Sequence, residues 1–317
     1  MIRIGVIGAG PMGAGNAQKL ASHAARCQIT AVVDPNPAAA QKLAQLYSAK
    51  TAGELSDILH VVDAIIISSP NFLHVEQAVA AAQAGKHIFI EKPMALTVAD
   101  ADQIVQAVDQ ARVASLVGFS VRFDGTVRRM KELVTTGQMG DLVSLWSRRL
   151  SYFEPAKGWR TEYSKSGGVM AELMAHEIDW MVDIAGVPSS VYCRKASRNH
   201  NDPRDNDHIW LTMNFGPETC GTIEGSQMSA ASDYARGIVG SQAAAVTRYW
   251  GKKLQFCTPP NGWKDLDDLP DFDKHGHFLD VIEGKCASVA DVHYGRRIVR
   301  ISEQAIASAV TGNPLSI

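Results

Sequence analysis

Residues 87–94 read HIFIEKPM: a short apolar run, then two opposite charges and a proline. The β-branched and aromatic residues of the first half suit a buried parallel strand. The charges then stand at its carboxyl end, where open α/β sheets bind ligands. Side chains alternate along a strand, so Glu91 and Lys92 point to opposite sides. Pro93 bars Lys92 from helical backbone angles and holds its ammonium out on an extended chain. Such a cation can polarise a hydroxyl or carbonyl oxygen; the plainer alternative is a strand ending in solvated charges.

A second group of chemically able residues lies at 172–179, ELMAHEID. On a helix Glu172 and His176 are i, i+4, and Asp179 is i+3 from His176, so all three share one face. A carboxylate one turn from an imidazole fixes its tautomer and favours its charged form. That suits a general acid/base working on a hydroxyl or carbonyl. The alternative is a solvated Glu–His–Asp stripe. No metal is expected, because this stretch has one histidine and no H-E-x-x-H spacing. His275 and His277 read as polar residues ahead of a closing helix, with a place at the cleft as the alternative.

The third pattern is at the start of the chain. An apolar run at 2–7 is followed by Gly8-Ala9-Gly10-Pro11-Met12-Gly13 and a helix-like segment. This is G-x-G-x-x-G in the setting it requires, after a strand and opening a helix. Gly8 permits the turn, Gly10 lets a pyrophosphate approach the backbone, and Gly13 allows close helix–strand packing. The helix start then offers N–H groups to the phosphates. A second strand at 28–33 ends in Asp34, about twenty residues on, where an acid binds the ribose 2′-hydroxyl. A carboxylate there repels a 2′-phosphate, and no arginine follows it, so NAD is expected, with NADP left open. Asp34 before Pro35 also fits a simple turn.

These residues need a scaffold to hold them. The chain has 317 residues, enough for two domains. With 46% hydrophobic and 20% charged residues and a formal charge of −2, it has the composition of a soluble globular protein. That charge gives no electrostatic reason to expect nucleic acid or a membrane surface as partner. Five scattered cysteines without a C-x-x-C pair fit a reducing cytoplasm better than a disulfide framework. No long apolar span suggests a membrane helix.

Up to about residue 120, strands (2–7, 28–33, 61–69, 87–90, 114–119) alternate with helices, which implies a parallel doubly wound sheet. Thr97 and Asp100 are spaced like a capping box for the helix at 97–111. Ser69-Pro70-Asn71 ends the third strand, so Asn71 and His74 are candidates to face a cofactor. From Arg122 the pattern changes. A helix at 125–136 and a strand at 142–150 precede an irregular stretch, 152–168, and a helix at 169–185. Strand-like runs follow at 190–196, 208–215, 219–228, 234–239 and 244–250, then helices near 274–283 and 295–311. This is an α+β domain with a largely antiparallel sheet. Domains are therefore expected at 1–120 and 121–317. A sheet covered by helices on one face leaves the other to be buried, most simply in a homo-oligomer.

Taken together, GAGPMG, VVDPNP, SSPNFLHVEQAVAAAQAGKHIFIEKPMAL, GFSVRFD, GWR, GGVMAELMAHEID and SAVTGNPL occur in this order. Over nearly its whole length the chain resembles the Gfo/Idh/MocA family. The resemblance implies an N-terminal Rossmann domain and a C-terminal α/β domain whose open sheet often forms a dimer or tetramer contact. It implies NAD(P)-dependent oxidation or reduction of a hydroxyl or carbonyl on a sugar, cyclitol or similar small polar molecule.

By the same resemblance either Lys92 or His176 serves as the acid/base, with Lys92 also at the nicotinamide ribose. The family's usual aspartate four residues before the histidine is Glu172 here, which puts its catalytic role in question. Trp159 and Arg160 match the family's W-R near nicotinamide and substrate. Arg122 matches a cleft position, and with Tyr163 it hints at a polar, sugar-like ligand. Two other classes stay open: an NAD-dependent glycosidase or lyase working by transient oxidation, and a non-catalytic dinucleotide-binding sensor.

Overall fold

The computed structural model describes residues 1–152, 158–196, 208–248, 250–267 and 269–317. Parts of the expected irregular stretch (153–157) and of the run at 244–250 (residue 249) lie outside the described residues. The chain forms two compact units, Met1–Gly118 with Asp273–Val299, and Phe119–Phe272 with Arg300–Ile317.

The first unit is built in chain order from β1 (Ile2–Ile7), α1 (Pro11–Ala21), β2 (Cys27–Val33), α2 (Pro37–Gln45), β3 (Lys50–Ala52), β4 (Ala64–Ile67), α3 (His74–Gln83), β5 (His87–Ile90), α4 (Val98–Ala111) and β6 (Ser115–Val117). The strands make one parallel sheet in the order β3-β2-β1-β4-β5-β6. Ile65, Ile66, Ile67, Ile88, Phe89 and Ile90 have no exposed surface, as strands covered on both faces require. Strand order reverses between β1 and β4, so the crevice beyond their carboxyl ends is the place such sheets reserve for a ligand.

Caps fix the flanking helices. Asn36 accepts the Ala38 and Ala39 N–H groups at the start of α2, and Thr97 accepts the Asp100 N–H at the start of α4. The Thr97 hydroxyl also donates to the Asp100 carboxylate at 2.8 Å, so the two residues of the expected box meet side chain to side chain.

The second unit contains α5 (Gly125–Thr135), β7 (Leu142–Tyr152), α6 (Tyr163–Ser166) and α7 (Ala175–Ala185). Then come β8 (Ser190–Ala196), β9 (His208–Asn214), β10 (Cys220–Ser226), β11 (Met228–Gly240), β12 (Ala244–Arg248), β13 (Lys253–Thr258) and β14 (Gly262–Leu266). Helices α8 (Lys274–Ile282) and α9 (Val292–Thr311) and the short β15 (Leu315–Ser316) close the chain. Its sheet runs β14-β13-β12-β11-β7-β10-β9-β8-β15 and is antiparallel except for β7 with β10.

The sequence reading assigned residues 121–317 to one domain, whereas Asp273–Val299 groups with the first unit. The reason is local: the Val117 N–H donates to the Ala290 carbonyl at 2.8 Å, and Phe278 meets Phe89 edge-on at 5.7 Å. The segment thus extends the β6 side of the parallel sheet. No periodicity marks that return.

Helix α7 lies on one face of the antiparallel sheet, where Gly221 and Gly225 make room for Met181 and Met174. Glu177 enters that interface fully buried. It accepts hydrogen bonds from Arg236 at 2.9 Å through two nitrogens, from Ser147 at 2.5 Å, from Trp180 at 2.9 Å and from Arg149 at 3.0 Å. Burial opposes its charge, but Arg236 and Arg149 outweigh that and hold the carboxyl below the ordinary glutamate range. Removing one partner of such a pair strands the other in a low dielectric. Arg236→Met should therefore lower unfolding stability by about 3–5 kcal/mol, measured by urea titration; a change indistinguishable from a surface substitution would refute the anchor role.

Candidate functional site

In the first unit the glycine loop is shaped by close backbone approach. Gly8 has φ +88°, and a Cβ there would stand 2.7 Å from the Ser68 carbonyl oxygen. A Cβ at Gly13 would stand 1.8 Å from the Gly8 carbonyl oxygen, whereas Gly10 has nothing within 4 Å. The open position is thus the one a pyrophosphate needs. α1 starts at Pro11 with no side chain capping its N–H groups, which leaves them for an anion.

The Ala9 N–H donates to Asp34 at 2.8 Å, and the Asn36 N–H donates to the other Asp34 oxygen at 2.8 Å. Asp34 is therefore both a turn residue and the link from β2 to the glycine loop. Each oxygen keeps a further lone pair for a ribose hydroxyl. These features fit a bound NAD: residues 8–13 for its pyrophosphate and Asp34 for its ribose.

At the end of β4, Ser69 donates to Gln77 at 2.5 Å, and Asn71 is buried at the first position of a 3₁₀ turn. His74 is buried, with ring nitrogens 2.8 Å from the Pro93 carbonyl and 3.0 Å from the Ser69 carbonyl. It ties the chain after Pro70 to the chain after Lys92. Glu91 is buried beneath that tie, and Lys92 is half-buried. Asn16 donates to Glu91 at 3.0 Å, and the Lys274 ammonium lies 3.8 Å from the same oxygen.

Sequence reasoning missed Asn16, Lys274 and the placement of His275. A signal existed for Asn16, three residues after Gly13 and on the buried face of α1 with Ala17 and Leu20. None existed for Lys274 and His275, which come from the far end of the chain.

In the second unit Gly167 and Gly168 have φ of +74° and +63°. The expected α-helix over 169–185 is interrupted at its start. Met170–Met174 form one π-helical turn, closed by the Ala175 N–H on the Met170 carbonyl, before α7 begins. The i→i+5 bond inserts an extra residue, so the α-helical register linking Glu172 with His176 does not apply. Glu172 accepts from Arg160 at 3.3 Å, and the Arg160 guanidinium lies 4.4 Å from the Trp159 ring centroid. His176 is buried one residue into α7, and Tyr163 opens α6.

Asp179 has no exposed surface and pairs with Arg122, itself buried, through two guanidinium nitrogens, the shorter at 2.5 Å. Arg122 also reaches Asp183 at 3.2 Å. This buried pair links the segment before α5 to α7. Among the described residues no group of three or more metal-ligating side chains is found, and no helix is long and apolar enough to cross a membrane.

A parallel βα sheet with this glycine loop defines a dinucleotide-binding class of protein. Residues 2–119 match the oxidoreductase family model with an NAD-binding Rossmann fold, and residues 127–246 match the GFO/IDH/MocA C-terminal domain. The chain belongs to the GFO/IDH/MocA family. It is 30% identical over 292 residues to inositol 2-dehydrogenase 3 of Saccharopolyspora erythraea, covering 83% of this chain and 84% of that protein. It is 28% identical over 232 residues to the 2,7-anhydro-N-acetylneuraminate hydratase of Escherichia coli, covering 71% of this chain and 61% of that protein. The fold superposes on a levoglucosan dehydrogenase solved with NADH and levoglucosan, with TM-score 0.92 and 20% identity over 100% of this chain and 99% of that one.

One group beside Arg122 carries a pH signature. Asp124 precedes α5 but makes no side-chain cap. Burial pushes its carboxyl up to about 6, against Arg236 and Arg149 and helped by Asp271 and Glu177. An acid whose folded value is raised binds its proton in the folded state while the unfolded chain has lost it. Stability then falls as pH rises from the ordinary aspartate value of 3.8 through about 6. Asp124→Asn should raise the melting temperature above about pH 6, with the gain vanishing below about pH 4. Thermal melts across that window check it.

Proposed function

We propose that the protein is an NAD-dependent dehydrogenase or reductase that moves a hydride between nicotinamide and a secondary alcohol or ketone of a sugar, cyclitol or similar small polar substrate. The observation that carries the reading is the glycine loop, open at Gly10 and tied through Ala9 to Asp34. Bound NAD supplies the hydride acceptor on oxidation and, reduced, the donor on reduction. Residues 8–13 and Asp34 hold it, with Ser69, Pro70, Asn71, His74, Glu91, Lys92, Trp159 and Arg160 as the further cofactor-side group. The carboxylate of Asp34 favours NAD over NADP.

In this reading His176 takes the hydroxyl proton on oxidation and returns it on reduction, and Lys92 polarises the same oxygen. Such proton transfer contributes roughly 10²–10⁴-fold. Glu172, joined to Arg160, serves to bind a substrate hydroxyl. Tyr163 stands with it on the substrate side, and the buried Arg122–Asp179 pair supports α7 behind them. All five cysteines are free, which supports a cytoplasmic setting.

The helix-free side of the antiparallel sheet supports self-association in a dimer or tetramer. It carries Trp210, 47% exposed, beside the Arg148–Glu224 ion pair. Trp210→Asp should then lower the mass found by sedimentation equilibrium, and a wild-type monomer would end the idea.

The relation to a hydratase of an anhydro sugar acid favours one second reading, a reaction in which the dinucleotide ends unchanged. Incubation with NAD⁺ and a panel of inositols, aldoses and anhydro sugars separates the two: net absorbance at 340 nm marks a dehydrogenase, and product without it marks the second class. On the active substrate, Lys92→Ala and His176→Ala should each lower kcat by about 10²–10⁴ while NAD⁺ binding by thermal shift persists. Near-normal turnover in both variants would refute the assignment.

A further inference from the structure

A buried polar chain inside the first unit ends on Glu91, the residue before Lys92. The Asn16 amide donates to Glu91 at 3.0 Å and to the Ser68 hydroxyl at 3.0 Å. With its nitrogen so engaged, Asn16 turns its oxygen to His275, whose Nε2 lies at 2.9 Å. That contact requires His275 to carry its proton on Nε2. Burial and the neighbouring Lys274 push the His275 pKa down to about 3, so the ring is a neutral, constant donor.

Its plane stacks on Phe89 at 5.6 Å, and Lys274 lies 5.0 Å over the same ring. Lys274 completes the set on Glu91 at 3.8 Å. Space is reserved for this carboxylate. A Cβ at Gly118 would stand 2.7 Å from it, and that position is glycine.

We propose that Asn16, Lys274 and His275 are positioning residues for the reaction: by fixing the Glu91 carboxylate they fix the backbone from which Lys92 projects. The inference rests on the reading of Lys92 as a site residue. Side chains alternate on β5 and its extension, so a carboxylate anchored on one side sets the aim of the ammonium on the other. Two ties converge on this turn, Glu91 to α1 and α8, and the Pro93 carbonyl to His74. A misplacement near 1 Å at a reacting group can cost about 10²-fold, which is why a remote lysine and histidine matter.

The test uses the whole chain with Lys274→Met and with His275→Phe, which keeps the stack on Phe89 but removes the donor. Arg26→Gln is the control: it cuts the 2.6 Å tie to Asp280 and the 2.8 Å tie to Glu283, which join the loop after α1 to the far end of α8, without touching Glu91. On a substrate that the panel identifies, both variants should lose about tenfold or more in kcat with NAD⁺ affinity held, Arg26→Gln should stay near wild type, and Lys274→Arg should recover activity.

A substrate-free readout follows Lys92 itself, through trace acetylation by acetic anhydride across pH with mass spectrometry. Glu91→Gln should lower its titration midpoint and Lys274→Met should raise it, because a carboxylate nearby favours the ammonium and a cation nearby opposes it. Unchanged kcat in both variants together with an unmoved midpoint would overturn the proposal. Full activity in Lys92→Ala alongside a moved midpoint would instead defeat the functional reading and leave the positioning network standing.

Discussion

The contact of Gly13 with the carbonyl of Gly8 sets the geometry of the nucleotide platform. No residue with a side chain could close that gap, since a Cβ would come within 1.8 Å of the oxygen. Because the two backbones touch, α1 starts directly over the end of β1 and its first N–H groups face the crevice at the strand-order reversal. One turn further along the same helix, Asn16 is carried inward to the level of Glu91. The phosphate site and the support beneath the lysine therefore share one cause, the missing side chain at position 13.

A common device appears in the two units. In each, the residue assigned the chemistry has a buried glutamate beside it in sequence: Glu91 before Lys92, and Glu177 after His176. Glu91 is held by Asn16 and Lys274, and Glu177 by Arg236, Arg149, Ser147 and Trp180. A buried carboxylate without partners would be costly; with them it becomes a rigid, directional peg in an otherwise apolar layer. The neighbour along the chain inherits that rigidity without giving up its own hydrogen-bonding groups.

What could be read without coordinates follows from the range of the signals. The apolar strands at 2–7, 28–33 and 87–90, the glycine fingerprint and the Thr97 cap are local patterns, and the structure has them at those places. β3 is three residues long with mostly exposed side chains, so it carries no hydrophobic period to detect. The return of Asp273–Val299 to the first unit depends on pairing with β6 and packing on Phe89, interactions between residues far apart in the chain. The π turn is a matter of one hydrogen bond, Ala175 to Met170 in place of an α-helical one, and residue type does not announce it. Arg122 and Asp179 were each legible as a charged residue of chemical interest, but their pairing and burial against each other were not.

The π turn also bears on the departure from the family at position 172. An aspartate one α-helical turn before the histidine would lie close along the same face. Here the extra residue in the turn shifts the angular position of residue 172 relative to 176, and the side chain at 172 is longer by one methylene. Glu172 meets Arg160, from the 3₁₀ turn Gly158–Thr161 that also holds Trp159. Its carboxylate is thereby joined to a loop carrying an aromatic ring and a guanidinium stacked together. Such a grouping presents an apolar face and polar edges side by side. The longer acid at 172 is thus joined to the turn that carries Arg160 and Trp159, and the α-helical spacing to His176 no longer describes it.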